Sequence, residues 1–298
     1  MKSKVKFLII GGDSFIGSAL AHYFEIAKES VISTTRNRST ICHDRIYLDL
    51  TDEMSDWEFH DSIDTAVFCS GITKVDHCEI DKLTSKKVNV EGVCRLAGIL
   101  VGKGARIIFL SSNAVFDGTK EYPSHEDNVS PVTEYGRQKA EVERELIREY
   151  PSRVTILRLT KVLGGRNPLF DDWSVLLRRG EVIYPFSDMY IAPIPVSFVV
   201  SVVRVLVDRN GNGIFHLSGD KDFSYADIAF MAAGMLGVRR EQVHPILARE
   251  GNVLKEVIRT TKTALDTERV KRELGIRAPE TIWTIKEAFL NPKVLDGA

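Results

Sequence analysis

The sequence contains few cysteines, and they follow neither a metal-binding nor a disulfide pattern. Four cysteines occur in 298 residues, at positions 42, 69, 78 and 94. No two of them form a CxxC pair, and no histidine lies at ligand spacing from them. We therefore expect the reduced thiols of a cytoplasmic protein and no metal site.

An excess of charge of either sign and long apolar runs are also absent. The 40 basic and 41 acidic residues leave a net charge of −1 without a long basic block, so neither nucleic acid nor an anionic membrane is expected as a main partner. No run approaches the ~18 apolar residues that a membrane span requires. The first apolar run stops at Gly11-Gly12-Asp13 without a cleavage site, which indicates a buried strand rather than a signal peptide.

The first half of the chain alternates short apolar runs with helical patterns. Six runs are predicted strands: Val5–Ile10, Ser30–Thr34, Arg45–Leu48, Thr65–Cys69, Arg106–Leu110 and Val154–Leu159. Because parallel strands need crossover helices, this order predicts an α/β fold, a Rossmann-type doubly wound parallel sheet. We expect a cleft at the carboxyl ends of its strands.

The alternation loosens after about residue 165, where helical patterns are separated by turns. This change predicts a second, smaller, mixed and mostly helical C-terminal lobe that binds substrate. The predicted division is a nucleotide-binding domain of residues 1–165 and a lobe of residues 166–298. The boundary is approximate and allows segments to interleave.

A glycine-containing stretch, Gly-Gly-Asp-Ser-Phe-Ile-Gly from Gly11 to Gly17, lies between the first predicted strand and a helical pattern. In such a turn the first glycine makes the bend, the last lets helix and strand pack closely, and the helix N-terminus faces a pyrophosphate. Ser14 stands where a further glycine is usual, and its hydroxyl is expected to donate to a phosphate oxygen. We predict a dinucleotide-binding loop that includes Phe15 and Ile16. The alternative is an ordinary strand–helix turn.

The residues after the second predicted strand carry hydroxyl groups and positive charge. An acidic residue there would bind the ribose 2′-OH of NAD, whereas this chain has Thr35, Arg36 and Arg38. Hydroxyl and guanidinium groups favour the 2′-phosphate of NADP. The prediction is a preference for NADP(H), with NAD(H) as the alternative cofactor and a solvated basic loop as the alternative structure.

A catalytic set is predicted from Ser112, Tyr135 and Lys139. The tyrosine and the lysine are four residues apart in a helical pattern, which places them on one helix face. A free tyrosine has a pKa of about 10. A nearby lysine ammonium, together with the positively charged nicotinamide, is expected to lower it, so that Tyr135 exchanges a proton with a substrate C–OH or C=O. Ser112 is expected to hold the same oxygen by a hydrogen bond.

Several segments resemble the extended short-chain dehydrogenase/reductase superfamily. The loop from Gly11 to Gly17 matches its GxxGxxG motif with the middle glycine replaced. The stretch "SSNAVFDGTKEYPSHEDNVSPVTEYGRQKAEVE" is similar to "STDYVFDGxxxxPYxExDxxxPxxxYGxxKxxGE" of dTDP-4-dehydrorhamnose reductases, and "GITKVDHCE" is similar to their "AAxTxVDxAE" segment. With "DMYIAPIPV", which is similar to "DQxGxPTxV", the likeness covers most of the chain.

The resemblance implies contacts beyond the loop. Asp49 would face the adenine, with a helix N-cap as the alternative role, and Lys139 would bond the nicotinamide ribose. The full set of predicted cofactor-binding residues is Gly11, Ser14, Phe15, Ile16, Gly17, Thr35, Arg36, Arg38, Asp49, Leu50, Cys69, Ser70, Gly71, Thr73, Tyr135 and Lys139. The predicted substrate-binding residues are Thr73, Asn113, Lys161, Asp188 and Tyr190. The alternative for Lys161 is a lysine at the surface or the rim of the core, and the alternative for Asp188 and Tyr190 is a solvated loop.

The chain also departs from this family at the catalytic serine. Ser112-Asn113-Ala114 stands where the reductases have Thr-Asp-Tyr, and sugar-nucleotide dehydratases place Asp-Glu after this position. Without a carboxylate there, dehydration is disfavoured.

The sequence is therefore interpreted as an NADP(H)-preferring oxidoreductase that reduces a keto, first of all 4-keto, nucleotide-diphosphate sugar. Two alternatives stay open: an epimerase that uses the same three residues, and a non-catalytic NADP-binding regulatory subunit. A homodimer is implied by the family only.

Overall fold

The computed structural model describes residues 7–53, 62–164, 167–251 and 261–290. Its strands are β1 (Phe7–Ile10), β2 (Val31–Thr35), β3 (Arg45–Tyr47), β4 (Thr65–Phe68), β5 (Arg106–Ser112), β6 (Val154–Leu159), β7 (Val162–Leu163), β8 (Tyr190–Ile191), β9 (Ile194–Pro195), β10 (Gly213–Leu217) and β11 (Phe223–Ser224).

Seven strands form one sheet in the order β10-β6-β5-β4-β1-β2-β3. The pairs from β3 across to β5 are parallel, with Phe7 opposite Val31 on one side of β1 and Thr65 on the other. The strand order reverses between β1 and β4, and ligands of such sheets bind outside the carboxyl ends at this point. The predicted Rossmann-type sheet is confirmed, and its six predicted strands are present to within two residues at each described end; Val5 and Lys6 lie outside the described residues.

The helices are α1 (Phe15–Ile26), α2 (Val75–Ile80), α3 (Lys82–Lys86), α4 (Val93–Gly102), α5 (Glu134–Glu149), α6 (Pro168–Arg178), α7 (Val196–Arg209), α8 (Tyr225–Leu236) and α9 (Thr281–Leu290). The described residues also include two π-helical turns, Lys87–Gly92 and Val270–Leu274, and short 3₁₀ turns at Arg38–Thr40, Asn113–Val115, Arg240–Gln242 and Ala248–Gly251. Within the described residues, no helix is long and apolar enough to cross a membrane.

Helix α1 shows why the predicted amphipathic pattern folds onto the sheet. Its buried residues are Gly17, Leu20, Ala21 and Phe24, which follow the i, i+3, i+4, i+7 spacing of a single helix face. The ring of Phe24 stacks on that of Phe7 in β1, with the centroids 4.1 Å apart. This contact holds α1, which begins in the glycine loop, against β1.

The chain divides into two compact units, each built from interleaved segments. The first consists of Met1–Val115, Thr133–Arg158 and Val199–Phe215, and the second of Phe116–Val132, Leu159–Phe198 and His216–Ala298. The first unit has a core of sheet and helix side chains that includes Leu8, Phe68, Leu96 and Phe109. The predicted boundary at residue 165 stays a prediction.

The second unit has its own apolar core, in which Phe170, Trp173, Ile228 and Phe289 are buried. The rings of Phe170 and Phe289 stack with their centroids 4.8 Å apart. Two short ladders, the parallel pair β7–β9 and the antiparallel pair β8–β11, accompany its helices.

Candidate active site

The glycine loop between β1 and α1 is held by its own hydrogen bonds. Ser14 is the N-cap of α1: its Oγ accepts from the Gly17 N–H at 3.0 Å and donates to the Gly11 carbonyl at 2.7 Å. Because a hydroxyl has one proton to donate, the proton of Ser14 serves the loop. The expected donation to a phosphate oxygen is therefore not the arrangement found here. The N–H groups of Phe15 and Ile16 are those that the first helical turn leaves without an intrahelical acceptor.

The glycines of this loop stand where a side chain would not fit. Gly11 has φ +86°, and a Cβ on it would lie 2.8 Å from the Cβ of Ser70. A Cβ on Gly17 would lie 2.1 Å from the Gly11 carbonyl oxygen. Because no side chain fits at Gly11 or Gly17, the backbone of the loop itself forms the wall of the site, as a pyrophosphate-binding turn requires.

A cavity of about 270 Å³ opens beside this loop at the carboxyl ends of β1, β2 and β4. It is lined by Ile10, Gly11, Asp13, Ser14, Thr34, Thr35, Arg36, Leu48, Asp49, Leu50, Ser70, Gly71, Ile72 and Val88. The hydroxyl of Ser70 is buried and has no hydrogen-bond partner among the described residues. Cradling glycines and an unpartnered hydroxyl beside one cavity fit a bound dinucleotide.

The three residues predicted to face a 2′-phosphate have different surroundings. Arg36 is exposed and is the only cationic residue among those that line the cavity. The guanidinium of Arg38 instead lies 3.8 Å above the ring of Tyr47, and Arg38 is not part of the cavity wall. Thr35 donates to the carboxylate of Asp13 at 2.7 Å.

Both carboxylates on this part of the cavity wall have partners. The Asp13 carboxylate forms an ion pair with Arg45. Asp49 accepts from both the N–H and the hydroxyl of Thr51, at 2.9 and 2.8 Å. Burial raises the pKa of Asp49, but these hydrogen bonds and the charges of Arg36 and Lys87 outweigh burial and leave that pKa below its usual value. Asp49 therefore caps the following turn and lines the cavity at the same time.

The segment after β4 is fixed by a residue that the sequence pattern did not indicate. Asn89, in the π-helical turn, accepts from the Ile72 N–H at 2.7 Å and donates to the Ile72 carbonyl at 2.9 Å and to Oε1 of Gln138 at 2.8 Å. A buried asparagine in an apolar helical stretch is the signal that could have indicated it. Of the predicted residues here, Ser70 and Gly71 line the cavity, whereas Thr73 is exposed and Cys69 lies outside the lining set.

The three predicted catalytic residues meet in the first unit, where β5 ends and α5 begins. Thr133 caps α5 by accepting from the Gly136 N–H at 3.1 Å, so Tyr135 and Lys139 follow in its first two turns. The Ser112 side chain lies close enough to Tyr135 to lower the pKa of its phenol. The ammonium of Lys139 donates to the Leu110 carbonyl at 2.8 Å and lies 5.8 Å from the centre of the Tyr135 ring.

The pKa values of this pair differ from the expectation. Burial raises the pKa of Tyr135 to about 12, and the nearby Ser112 side chain lowers it only in part. Burial lowers the pKa of Lys139 to about 8, against an opposing effect of Glu143. The predicted lowering of the tyrosine pKa by Lys139 is therefore wrong, because desolvation of the phenolate outweighs the effect of its neighbours. The contribution expected from a positively charged nicotinamide stays a prediction.

The remaining predicted substrate residues belong to both units: Asn113 lies in the first, and Lys161, Asp188 and Tyr190 lie in the second. Asn113 follows Ser112, whose hydroxyl donates to its Oδ1 at 3.3 Å. In the second unit, Asp188 accepts from the Ala248 N–H at 2.8 Å, Lys161 is exposed, and Tyr190 is half-buried in β8. Asp188 thus holds a loop of its own unit, a contact across sixty residues that a local pattern does not reveal.

Comparison with protein families gives one match over almost the whole chain. Residues 5–291 match the family described as RmlD substrate binding domain. The chain belongs to this family. The match includes the glycine loop, the Ser112, Tyr135 and Lys139 set, and the second unit.

Relatives and solved structures agree with this assignment. A dTDP-4-dehydrorhamnose reductase from Sinorhizobium fredii is 31% identical over 72% of this chain and 76% of its own length. Methionine adenosyltransferase 2 subunit beta from Rattus norvegicus is 25% identical over 80% of this chain and 74% of its own length. A dTDP-4-dehydrorhamnose reductase from Bacillus anthracis, solved in complex with NADP, superposes with a TM-score of 0.81 at 18% identity, over 97% of this chain and 99% of that one. At that identity the last likeness is one of fold.

Proposed function

We propose that the protein is an NADP(H)-dependent reductase of a keto nucleotide-diphosphate sugar, with 4-keto sugars as the first candidates. The observation that carries the proposal is the meeting of Ser112, Tyr135 and Lys139 in the same unit as the glycine-loop cavity. The reductase names of relatives support the class of substrate.

The proposed chemistry needs a proton donor at the substrate carbonyl. Because the pKa of Tyr135 is about 12, its phenol is protonated at neutral pH and suits donation to a developing alkoxide. The Ser112 hydroxyl would hydrogen-bond the same oxygen and polarise the carbonyl. When bound, the reduced nicotinamide supplies the hydride. Lys139 keeps a positive charge beside Tyr135 as the phenol gives up its proton.

The preference for NADP(H) rests on Arg36. Its guanidinium is the cationic group on the cavity wall, while the nearby carboxylate of Asp13 is paired with Arg45. A 2′-phosphate would gain a charge-assisted hydrogen bond from Arg36. The remaining predicted contacts, including Thr73, Lys161 and Tyr190, belong to this proposal as substrate-facing residues.

The experiment is a reductase assay with NADPH or NADH and a panel of 4-keto dTDP-, UDP- and GDP-sugars. Loss of the nicotinamide absorbance in proportion to sugar is the expected result. An epimerase would convert sugar without net consumption of NADPH. If no sugar in the panel consumes NADPH, the proposed reductase function is contradicted.

A second candidate function is that of a non-catalytic NADP-binding subunit of another enzyme. It is favoured by the similarity to methionine adenosyltransferase 2 subunit beta, a protein named as a subunit. The same preparation distinguishes the two functions: NADPH binding by fluorescence titration, without turnover of any sugar in the panel, would support the subunit. A homodimer stays a prediction that sedimentation would test.

A further inference from the structure

A buried carboxylate lies directly behind the catalytic pair on α5. Tyr135, Lys139 and Glu143 follow one another at four-residue intervals, so they share one helix face. Glu143 is only 3% exposed. A carboxylate is seldom buried unless it is paired, and none of the steps proposed above uses it.

The partners of Glu143 tie it to the strand that carries the catalytic serine. Its Oε1 accepts from the Ser111 hydroxyl at 2.5 Å. Its Oε2 accepts from Nη2 of Arg158 at 2.7 Å, and the Arg158 Nε lies 3.1 Å from both oxygens. Arg158, in β6, is as buried as its partner. The carboxylate therefore joins α5, β5 and β6 at one point.

Three successive residues of β5 receive the three side chains of this helix face. Lys139 donates to the carbonyl of Leu110 and Glu143 accepts from Ser111, while Tyr135 lies near enough to Ser112 for that side chain to lower its pKa. A displacement of Glu143 would thus move the strand end that both other residues contact.

We propose that Glu143 is a positioning residue of the active site. Its carboxylate, held by Arg158 and Ser111, keeps the Lys139 ammonium charged and holds the end of β5 against α5. This inference rests on the proposed function for its catalytic meaning. Its physical content, an effect on Lys139 through a buried charge, is measurable without turnover.

Glu143 is the group that supplies negative charge near Lys139. Besides Glu143 and Tyr135 on α5, the titratable groups that face Lys139 are Cys69 after β4 and Cys78 on α2. Burial raises the pKa of both thiols, that of Cys69 to about 12, so they are neutral where Lys139 titrates. Removal of the Glu143 charge should therefore lower the pKa of Lys139.

The test compares Glu143→Gln with Glu145→Gln, a control on the same helix whose carboxylate pairs with exposed Arg148. Lysine carrying ¹³C at Cε is incorporated, the Lys139 signal is assigned with Lys139→Met, and its pKa is read by NMR titration. We expect the pKa of Lys139 to fall by about one unit in Glu143→Gln and to stay unchanged in the control. An unchanged pKa in Glu143→Gln would overturn the proposal.

A second variant keeps the proposal testable if Glu143→Gln does not fold. Glu143→Gln removes the negative charge that balances the buried Arg158 guanidinium, which is destabilising. The double variant Glu143→Gln with Arg158→Gln removes both charges and should recover stability. We expect it to retain the lowered pKa, because the Glu143 carboxylate and not Arg158 raises the pKa of Lys139. Return of that pKa to its wild-type value together with stability would show a structural role only.

Turnover separates this proposal from the proposed function. If the wild type reduces a 4-keto sugar, the alkaline decline of activity should begin at a lower pH in Glu143→Gln than in the wild type. The change should affect kcat more than the KM for NADPH. If the wild type reduces nothing while the NMR shift is present, the reductase function fails and the positioning role of Glu143 stands.

Discussion

At the scale of single residues, burial changes the pKa values of Tyr135 and Lys139 more than their effect on each other does. Both are desolvated at the end of β5, and burial moves their pKa values in opposite directions, to about 12 and about 8. A protonated phenol beside an ammonium is the state needed to protonate a carbonyl oxygen as it receives a hydride. This protonation state at neutral pH is the one that the proposed reduction requires.

Replacement of Tyr135 tests the proton donor. In Tyr135→Phe the ring remains and the proton is lost, so kcat should fall by roughly 10²-fold or more while the Kd for NADPH changes little. Steady-state rates and fluorescence titration measure the two quantities. Turnover near the wild-type rate would show that another group protonates the substrate.

Arg36 and Arg38 form a matched pair for the question of cofactor preference. Arg36 lines the cavity, whereas Arg38 lies on the Tyr47 ring. Arg36→Ala should weaken NADPH binding by about 1.5–3 kcal/mol, the range for a hydrogen bond to a charged group, and leave NADH binding nearly unchanged. Arg38→Ala should weaken neither strongly. Equal losses for both cofactors in Arg36→Ala would contradict the 2′-phosphate contact.

At the scale of elements, the turn from β1 into α1 shows how a residue that departs from a motif can serve it. The hydroxyl of Ser14 closes the loop by joining Gly11 and Gly17. A serine is well suited to the N-cap position, so its presence in place of glycine is compatible with a functional loop.

Two substitutions at Ser14 separate capping from phosphate contact. Ser14→Ala should lower the free energy of unfolding by about 1 kcal/mol, as is typical of N-caps. Ser14→Gly should lower it by only about a few tenths of a kcal/mol. Chemical denaturation measures both. We expect NADPH affinity to change little in Ser14→Gly. If Ser14→Ala left stability unchanged and both variants bound NADPH more weakly, the hydroxyl would instead contact the phosphate.

The elements of the sheet could be predicted because each carries a signal along the chain. Buried parallel strands such as Thr65–Phe68 read as continuous apolar runs, and α1 repeats its apolar residues with a helical period. The pairs β7–β9 and β8–β11 have two residues per strand, which is too short for any period. They form because neighbouring helices bring the segments together.

The candidate site could be predicted where its residues are adjacent in sequence to strand ends, as with Gly11, Asp49 and Ser112. The contacts of Asn89 with Ile72 and of Glu143 with Arg158 join residues that lie 17 and 15 positions apart. Such pairings depend on how helices lie against the sheet, and no local spacing encodes them.

At the scale of the whole molecule, the pH dependence of turnover reports the state of Lys139. Because its pKa is about 8, the ammonium is lost as pH rises through that value, and the rate of reduction should fall with it. Tyr135 adds no loss in this range, since its pKa is about 12. The profile of kcat from neutral to alkaline pH measures this limb.

Lys139→Arg supplies the control for this limb. A guanidinium stays charged across the range, so whatever activity the variant retains should not decline near pH 8, a value set by Lys139 in the wild type. The same decline in both proteins would assign the limb to another group.

The most direct test of the central claim is transfer of the hydride itself. NADPH carrying deuterium at the nicotinamide C4 is mixed with a 4-keto dTDP-sugar and the protein, and the sugar product is analysed by mass spectrometry and NMR. We predict one deuterium on the former carbonyl carbon for each NADPH oxidised, and formation of this product roughly 10²-fold more slowly, or slower still, with Tyr135→Phe. A product without deuterium, or binding of NADPH without any product from the sugar panel, would contradict the assignment as a reductase.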